Sequence, residues 1–156
     1  MVKQSAGAYR LPHRILIHGQ ARTVVGFWID CQPYITLSIN ARELEIGKTL
    51  LYALSQSKTG VPDLTEFKGL MKPLIKAAGV RSYRRLLELA VYCGIGRTSE
   101  SYTIDPTHNG GTRGDDKGFG YLPERRILIP FDAMPEQLGS ALLRGFEACT
   151  SIYPES

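Results

Sequence analysis

Long apolar runs are missing from this sequence. No stretch approaches the roughly 18 residues that a membrane-spanning helix needs, so no membrane association is expected. Residues 1–10 hold one lysine and one arginine with no apolar core of about 7–15 residues behind them, which excludes a secretory leader and points to the cytosol. Cysteine is scarce and odd in number: Cys31, Cys93 and Cys149 form no CxxC pair and lie far apart. A disulfide framework is therefore excluded, and three buried free thiols are expected. The histidines His13, His18 and His108 fit no metal-ligand spacing, so neither zinc nor any other cofactor is expected. A nucleophile elbow, a GxxxxGK[ST] loop and a paired-carboxylate signature are absent as well, which argues against an enzyme.

What is present is the composition of an ordinary globular chain. Apolar residues make up 43% and charged residues 22% of 156 positions, enough for one domain, residues 1–156, to bury a core. Residues 1–11 read as a flexible polar tail. The net charge of +4 admits an acidic partner or nucleic acid without demanding either.

Patterning along the chain predicts alternating strands and helices. Residues 14–18 and 23–29 are rich in β-branched and aromatic types and read as two strands joined by a turn at Gly19 and Gln20. Ile35, Leu37 and Ile39 alternate with Tyr34, Thr36 and Ser38, the mark of a half-buried strand. Asn40 is placed to cap a helix reaching about Ser57, with Glu43 three positions on. Residues 59–62 read as a loop. A second helix over 63–78 opens at Asp63 and is kinked or shortened by Pro73. A short helix from Ser82 to Leu87 follows, then strands over 89–95 and 101–105. Residues 107–120 form a glycine-rich loop, 125–129 a strand, and a last helix runs from Asp132 to about Cys149. The expected fold is α/β of an α+β-like kind: a central mixed or antiparallel sheet of about six strands with three main helices.

Its organising feature is a repeat at an offset of 92 residues. Ile35 falls on Ile127, Leu37 on Ile129, Ile39 on Phe131 and the cap Asn40 on Asp132. In the helices Ile46 falls on Leu138, Gly47 on Gly139, Leu50 on Leu142, Leu51 on Leu143 and Leu54 on Phe146. A strand–cap–helix unit is thus duplicated. A mid-helix glycine costs about 1 kcal/mol against alanine, so keeping it twice implies close approach of helix to sheet there.

This pattern, a strand, an amide or acidic cap, then Leu138, Gly139, Leu142 and Leu143, resembles the CdiI family of contact-dependent growth inhibition immunity proteins. The segment from Gly79 to Tyr83 is similar to that family's middle region, and the resemblance spans roughly residues 14–150. It implies a small cytosolic α/β domain that binds the C-terminal toxin domain of a cognate CdiA effector, commonly a nuclease, and blocks its active site or substrate path. It brings no catalytic residues, no cofactor and no transferable contact residues. Inhibitors of basic nucleases tend to be acidic, whereas this chain is net basic, so contact through an acidic toxin surface or a local acidic patch is implied.

Two segments are the expected toxin-binding surface. Lys68, Lys72 and Lys76 recur every four residues and share a helix face, and Arg81, Arg84 and Arg85 follow with no acid between Phe67 and Leu87. The glycine-rich loop adds His108, Arg113, Asp115 and Asp116. The alternative is a nucleic-acid-binding protein or small enzyme using residues 68–85, but only Tyr83 interleaves an aromatic there, which makes nucleic acid the weaker partner. His108, Asp105, Asp115 and Asp116 are candidates for a small polar cluster. His13 and His18 are expected as surface and edge residues. Phe27 and Trp28 point to opposite faces, so an outward ring would be a binding anchor, but burial under a second layer is the expected outcome.

Overall fold

The computed structural model describes residues 2–64 and 69–154. Among the described residues nine strands and four α-helices follow in the order β1 (Gln4–Arg10), β2 (Arg14–Thr23), β3 (Trp28–Ser38), α1 (Glu43–Ser55), β4 (Lys58–Val61), α2 (Lys72–Ala78), α3 (Tyr83–Leu89), β5 (Val91–Arg97), β6 (Ser101–Asn109), β7 (Phe119–Tyr121), β8 (Ile127–Pro130), α4 (Pro135–Ala148) and β9 (Thr150–Ser151). The sheet runs β3-β2-β1-β5-β6-β7. β8 pairs antiparallel with β6, while β4 joins β2 and β9 joins β6 in parallel. Of the mixed or antiparallel sheet expected, a mixed, mainly antiparallel one forms, with more strands than the six anticipated and four helices for the three.

Both faces of this sheet are covered, which makes a three-layer arrangement. On one face Ala6, Ala8, Ile15, Ile17, Cys93, Ile95 and Ile104 meet the apolar stripes of α1 and α4. On the other, Tyr9, Leu16 and Tyr92 meet Leu74 and Ala78 of α2 and Leu86 of α3. Alternation along each strand sorts side chains between the two cores.

The tail assigned to residues 1–11 is instead a central strand. β1 lies between β2 and β5. Its Ser, Ala and Gly residues have little β-propensity, but they are what a strand under two helix layers can hold. Gly7 shows why: a Cβ there would collide with the His18 ring and stand 2.6 Å from the Tyr92 hydroxyl. The turn expected at Gly19 and Gln20 is a register irregularity inside β2. The chain reverses at residues 24–27, where Gly26 takes φ +99°.

The repeat survives, with two corrections. Helices start at Glu43 and Pro135, 92 residues apart, and the turns before them match: Ala41 N–H donates to Ser38 O at 2.9 Å, Ala133 N–H to Pro130 O at 3.0 Å. Asn40 and Asp132 lie in those turns, so neither caps a helix. In α4 the Gln137 side chain instead accepts from the Met134 N–H at 2.7 Å. The second correction concerns the glycines, which bring helix to helix. A Cβ on Gly47 would lie 2.5 Å from the carbonyl carbon of Pro135, and one on Gly139 would lie 2.7 Å from that of Glu43. Each glycine faces the first turn of the other helix, so α1 and α4 cross antiparallel about a local pseudo-twofold axis.

Candidate functional site

The basic tract sits on the opposite face, on two short helices. Pro73 stands in the first turn of α2, where its missing N–H costs nothing. α2 begins beside it at Lys72, so the helix expected over 63–78 is shortened, one of the two expected outcomes; residues 65–68 of that span lie outside the described residues. Leu74 and Ala78 are buried, which turns Lys72 and Lys76, four residues apart, to solvent. Gly79, at φ +73°, ends α2 in the left-handed conformation that glycine favours. Ser82, the expected start of the next helix, caps α3, its Oγ accepting from Arg85 N–H at 3.1 Å. Leu86 and Leu87 go inward, leaving Arg81, Arg84 and Arg85 exposed. Arg85 meets Glu88 only at 3.9 Å in the open, a pairing of little energetic weight. Lys68 lies outside the described residues.

The glycine-rich loop is shorter than expected because β6 continues through Pro106 to Asn109 and β7 begins at Phe119. What remains, 110–118, is closed at its neck by Gly110 N–H to Gly118 O and Gly118 N–H to Gly111 O, both 2.8 Å. Arg113, Asp115 and Asp116 are exposed on it. His108 stands on β6, its Nδ1 2.7 Å from Thr150 Oγ1. Asp105 is held by Arg126 at 2.6 Å. Among the described residues no hydrogen bond or ion pair joins His108 to Asp105, Asp115 or Asp116, so the polar cluster is not assembled.

Asn109 unites tract and loop. It is buried, and its Nδ2 donates to the carbonyls of Leu87 at 2.6 Å and Ala90 at 3.2 Å, at the end of α3. Its Oδ1 accepts from Gly111 N–H at 3.0 Å. One buried amide thereby fixes the root of the loop beside the C-terminal end of α3.

From β3 to β7 the sheet carries a row of aromatic rings. His18 and Tyr34 stack with centroids 6.0 Å apart, Tyr9 and Tyr92 stand at 4.7 Å, and Phe119 packs on both at 5.7 and 5.6 Å. Tyr83 and Tyr121 are the exposed rim residues of this row. Under it lies Asp30, its side chain 23% exposed, 3.2 Å from Gln20 Nε2 and 3.8 Å from His18 Nδ1. Burial, reinforced by the Asp30 charge, pushes the Tyr34 phenol up to about 12. Burial likewise holds Tyr9 and Tyr92 well above their ordinary value. These hydroxyls stay neutral and able to donate.

His18, expected at the surface, is fully buried in this row. Reading residues 4–10 as a strand and extending β2 through Gly19 brings Tyr9, Leu16, His18 and Gln20 onto one face by alternation, and that was the missed signal. His13 is exposed as expected. Of the aromatic pair, Phe27 faces outward, 71% exposed, at a hairpin tip with Val24 and Val25, while Trp28 is half-buried. Of the thiols only Cys93 is fully buried; Cys31 and Cys149 are partly exposed because each lies at a sheet or helix margin. Among the described residues no group of three His, Cys, Asp or Glu side chains is arranged to hold a metal ion.

Comparison with known proteins places this geometry in context. The family model described as CdiI, CDI immunity protein, matches residues 4–149. No curated protein sequence matches. Two solved structures share the fold. One is a protein of unknown function, NMB0488, from Neisseria meningitidis, 18% identical, with a TM-score of 0.75 and 94% of both chains covered. The other is a CdiA-CT/CdiI toxin and immunity complex from Yersinia pseudotuberculosis, 17% identical, with a TM-score of 0.76, covering 94% of this chain and 97% of that one.

Proposed function

We propose a function on one premise: the chain belongs to the CdiI family of CDI immunity proteins. It binds the C-terminal toxin domain of a cognate CdiA effector and neutralises it. The observation that carries this is the family match across residues 4–149, nearly the whole described chain. The similar Yersinia pseudotuberculosis fold, solved as a toxin and immunity complex, supports it. In this reading the protein acts by occlusion and performs no chemistry, and it meets its toxin in the cytosol. No helix among the described residues is long and apolar enough to cross a membrane.

The contact surface in this proposal is the side bearing α2, α3 and the 110–118 loop. Lys72, Lys76, Arg81, Arg84 and Arg85 are exposed there, with Tyr83 and Tyr121 beside them. Lys68 and His108 extend the same sequence segments, and Arg113, Asp115 and Asp116 stand on the loop that Asn109 roots against α3. Tyrosine and arginine are the residue types that anchor interfaces. A face rich in cations repels the basic groove of a nuclease and fits an acidic toxin surface next to it, so a nuclease partner is blocked along its substrate path.

Growth of cells expressing the toxin domain, with and without this chain, tests the function. Rescue is expected, and unrelieved killing refutes the immunity reading. A Lys76→Glu, Arg84→Glu, Arg85→Glu variant tests the surface. Rescue is expected to fail while the fold persists. Full rescue moves the interface elsewhere, with the Val24, Val25 and Phe27 tip as the next place to look. Salt-dependent RNA or DNA binding lost on Lys72→Glu favours the nucleic-acid alternative.

A further inference from the structure

Two thiols stand together at the C-terminal end of α4. Gly145 lets α4 lie close on the sheet: a Cβ there would meet Ile104 Cγ2 at 2.6 Å and Cys93 Sγ at 3.2 Å. Cys149, four residues on and so on the same side of the chain, comes down beside Cys93, with the two sulfurs 3.6 Å apart. Cys93 is buried within β5. Cys149 lines an open cavity of about 670 Å³ together with Arg10, Phe146, Glu147, Thr150 and Tyr153. One sulfur of the pair is therefore at a solvent-facing wall and the other is behind it.

The surroundings differentiate the two thiols. The hydrogen bond shared with Cys93 outweighs burial and, with backbone contacts at Thr107 and Tyr92 and the Arg10 guanidinium, lowers Cys149 to about 7. That same hydrogen bond and burial hold Cys93 far above the ordinary thiol value. Near neutral pH Cys149 is a nucleophile, because the thiolate is the reactive form, and Cys93 keeps its proton until Cys149 has reacted.

We propose that Cys93 and Cys149 form a redox-active dithiol that a small hydroperoxide converts to an intramolecular disulfide, tying the end of α4 to β5. The Cys149 thiolate attacks one peroxide oxygen and the O–O bond breaks. Hydroxide leaves and takes up a proton to become water, while Cys149 becomes a sulfenic acid. Cys93 then attacks the Cys149 sulfur, the S–O bond breaks, and the departing hydroxide leaves as water with the Cys93 proton. Two thiols are oxidised, and one hydrogen peroxide is reduced to two waters. The sulfurs must close from 3.6 Å to about 2.05 Å, a movement within the reach of side-chain rotation. This device is independent of the toxin-binding reading.

The test treats the full chain with hydrogen peroxide, alkylates the remaining thiols and maps peptides. A loss of two hydrogen atoms, a Cys93–Cys149 cross-linked peptide and alkylated Cys31 are expected. Melting temperature should rise on the order of 10 °C, since the bridge closes a long loop of the unfolded chain. Cys93→Ser should stop at a sulfenic acid on Cys149 that dimedone traps, and Cys31→Ser should oxidise like the parent. Should Cys93→Ser fail to fold, the parent's peptide map decides alone. Oxidation confined to Cys31, or Cys93 and Cys149 both still alkylatable after treatment, overturns the proposal.

Discussion

Replacing Gly47 by alanine sets two effects of opposite sign against each other. In a helix interior alanine is favoured over glycine by about 1 kcal/mol, so an uncrowded site gains stability. Here the new Cβ would lie 2.5 Å from the carbonyl carbon of Pro135, nearer still to its oxygen, and 3.0 Å from its Cα. All three obstacles are backbone, so no side chain can rotate away. Restoring an ordinary contact of 3.4 Å or more requires α1 and α4 to part by about 1 Å or more, loosening the packing of Leu50 and Leu142 on both sides of the crossing. Overpacking of this kind costs about 1–3 kcal/mol, and a backbone obstacle belongs at the upper end. The net expectation is a destabilisation of about 2 kcal/mol, a fall in Tm of about 4–8 °C. Gly139→Ala should match it, since its Cβ meets Glu43 in the same way, 2.7 Å from the carbonyl carbon. The double variant is the sharper test. A separation that relieves one clash relieves much of the other, so the two losses should sum to less than their total by about 1 kcal/mol. Urea denaturation followed by circular dichroism measures all three. A single variant more stable than the parent, or strictly additive losses, refutes the shared crossing.

Other perturbations probe the site. Asn109→Ala leaves the carbonyls of Leu87 and Ala90 without their donor and should cost about 2 kcal/mol, with faster amide exchange across residues 110–118; unchanged exchange argues that the amide does not root the loop. Tyr9, Tyr34 and Tyr92 have folded-state values above 10, with Tyr34 at about 12. Their contribution to stability is thus complete below pH 10 and lost as pH rises from 10 through the folded values. Phenolate absorbance in that window should therefore appear together with unfolding, and early titration of these rings in the native state contradicts their burial. Phe27→Ser removes an exposed ring and should change stability by no more than about 0.5 kcal/mol while raising solubility; a large loss in denaturation would mean that the hairpin tip is packed.

The parts of the fold that packing dictates were legible in the sequence, and the parts set by neighbours were not. Gly47 and Gly139 stood out because a helix accepts glycine at a cost, and both mark the helix crossing. The partner was misjudged: sequence shows that something comes close, and the topology decides that it is another helix. Asn40 and Asp132 have the chemistry of caps, but the turn at 38–41 and its counterpart at 130–133 carry each chain past them. β1 was invisible because Ser5, Ala6, Gly7 and Ala8 are selected by what covers them. At the site, the exposure of Lys72 and Lys76 followed from helical spacing, and that of Arg81, Arg84 and Arg85 from their charge. Asn109 and His18 did not, since their partners, Leu87, Ala90, Asp30 and Tyr34, come from distant segments.

The central claim is that this chain neutralises its cognate toxin by direct binding. Titration calorimetry of the purified full chain against the cognate CdiA C-terminal toxin domain tests it most directly. The account expects a one-to-one complex with Kd at or below about 10⁻⁹ M, some 12 kcal/mol of binding free energy, weakened at least tenfold by the Lys76, Arg84 and Arg85 charge reversals. Heat of dilution alone, with the toxin fully active at saturating concentrations of this protein, contradicts it.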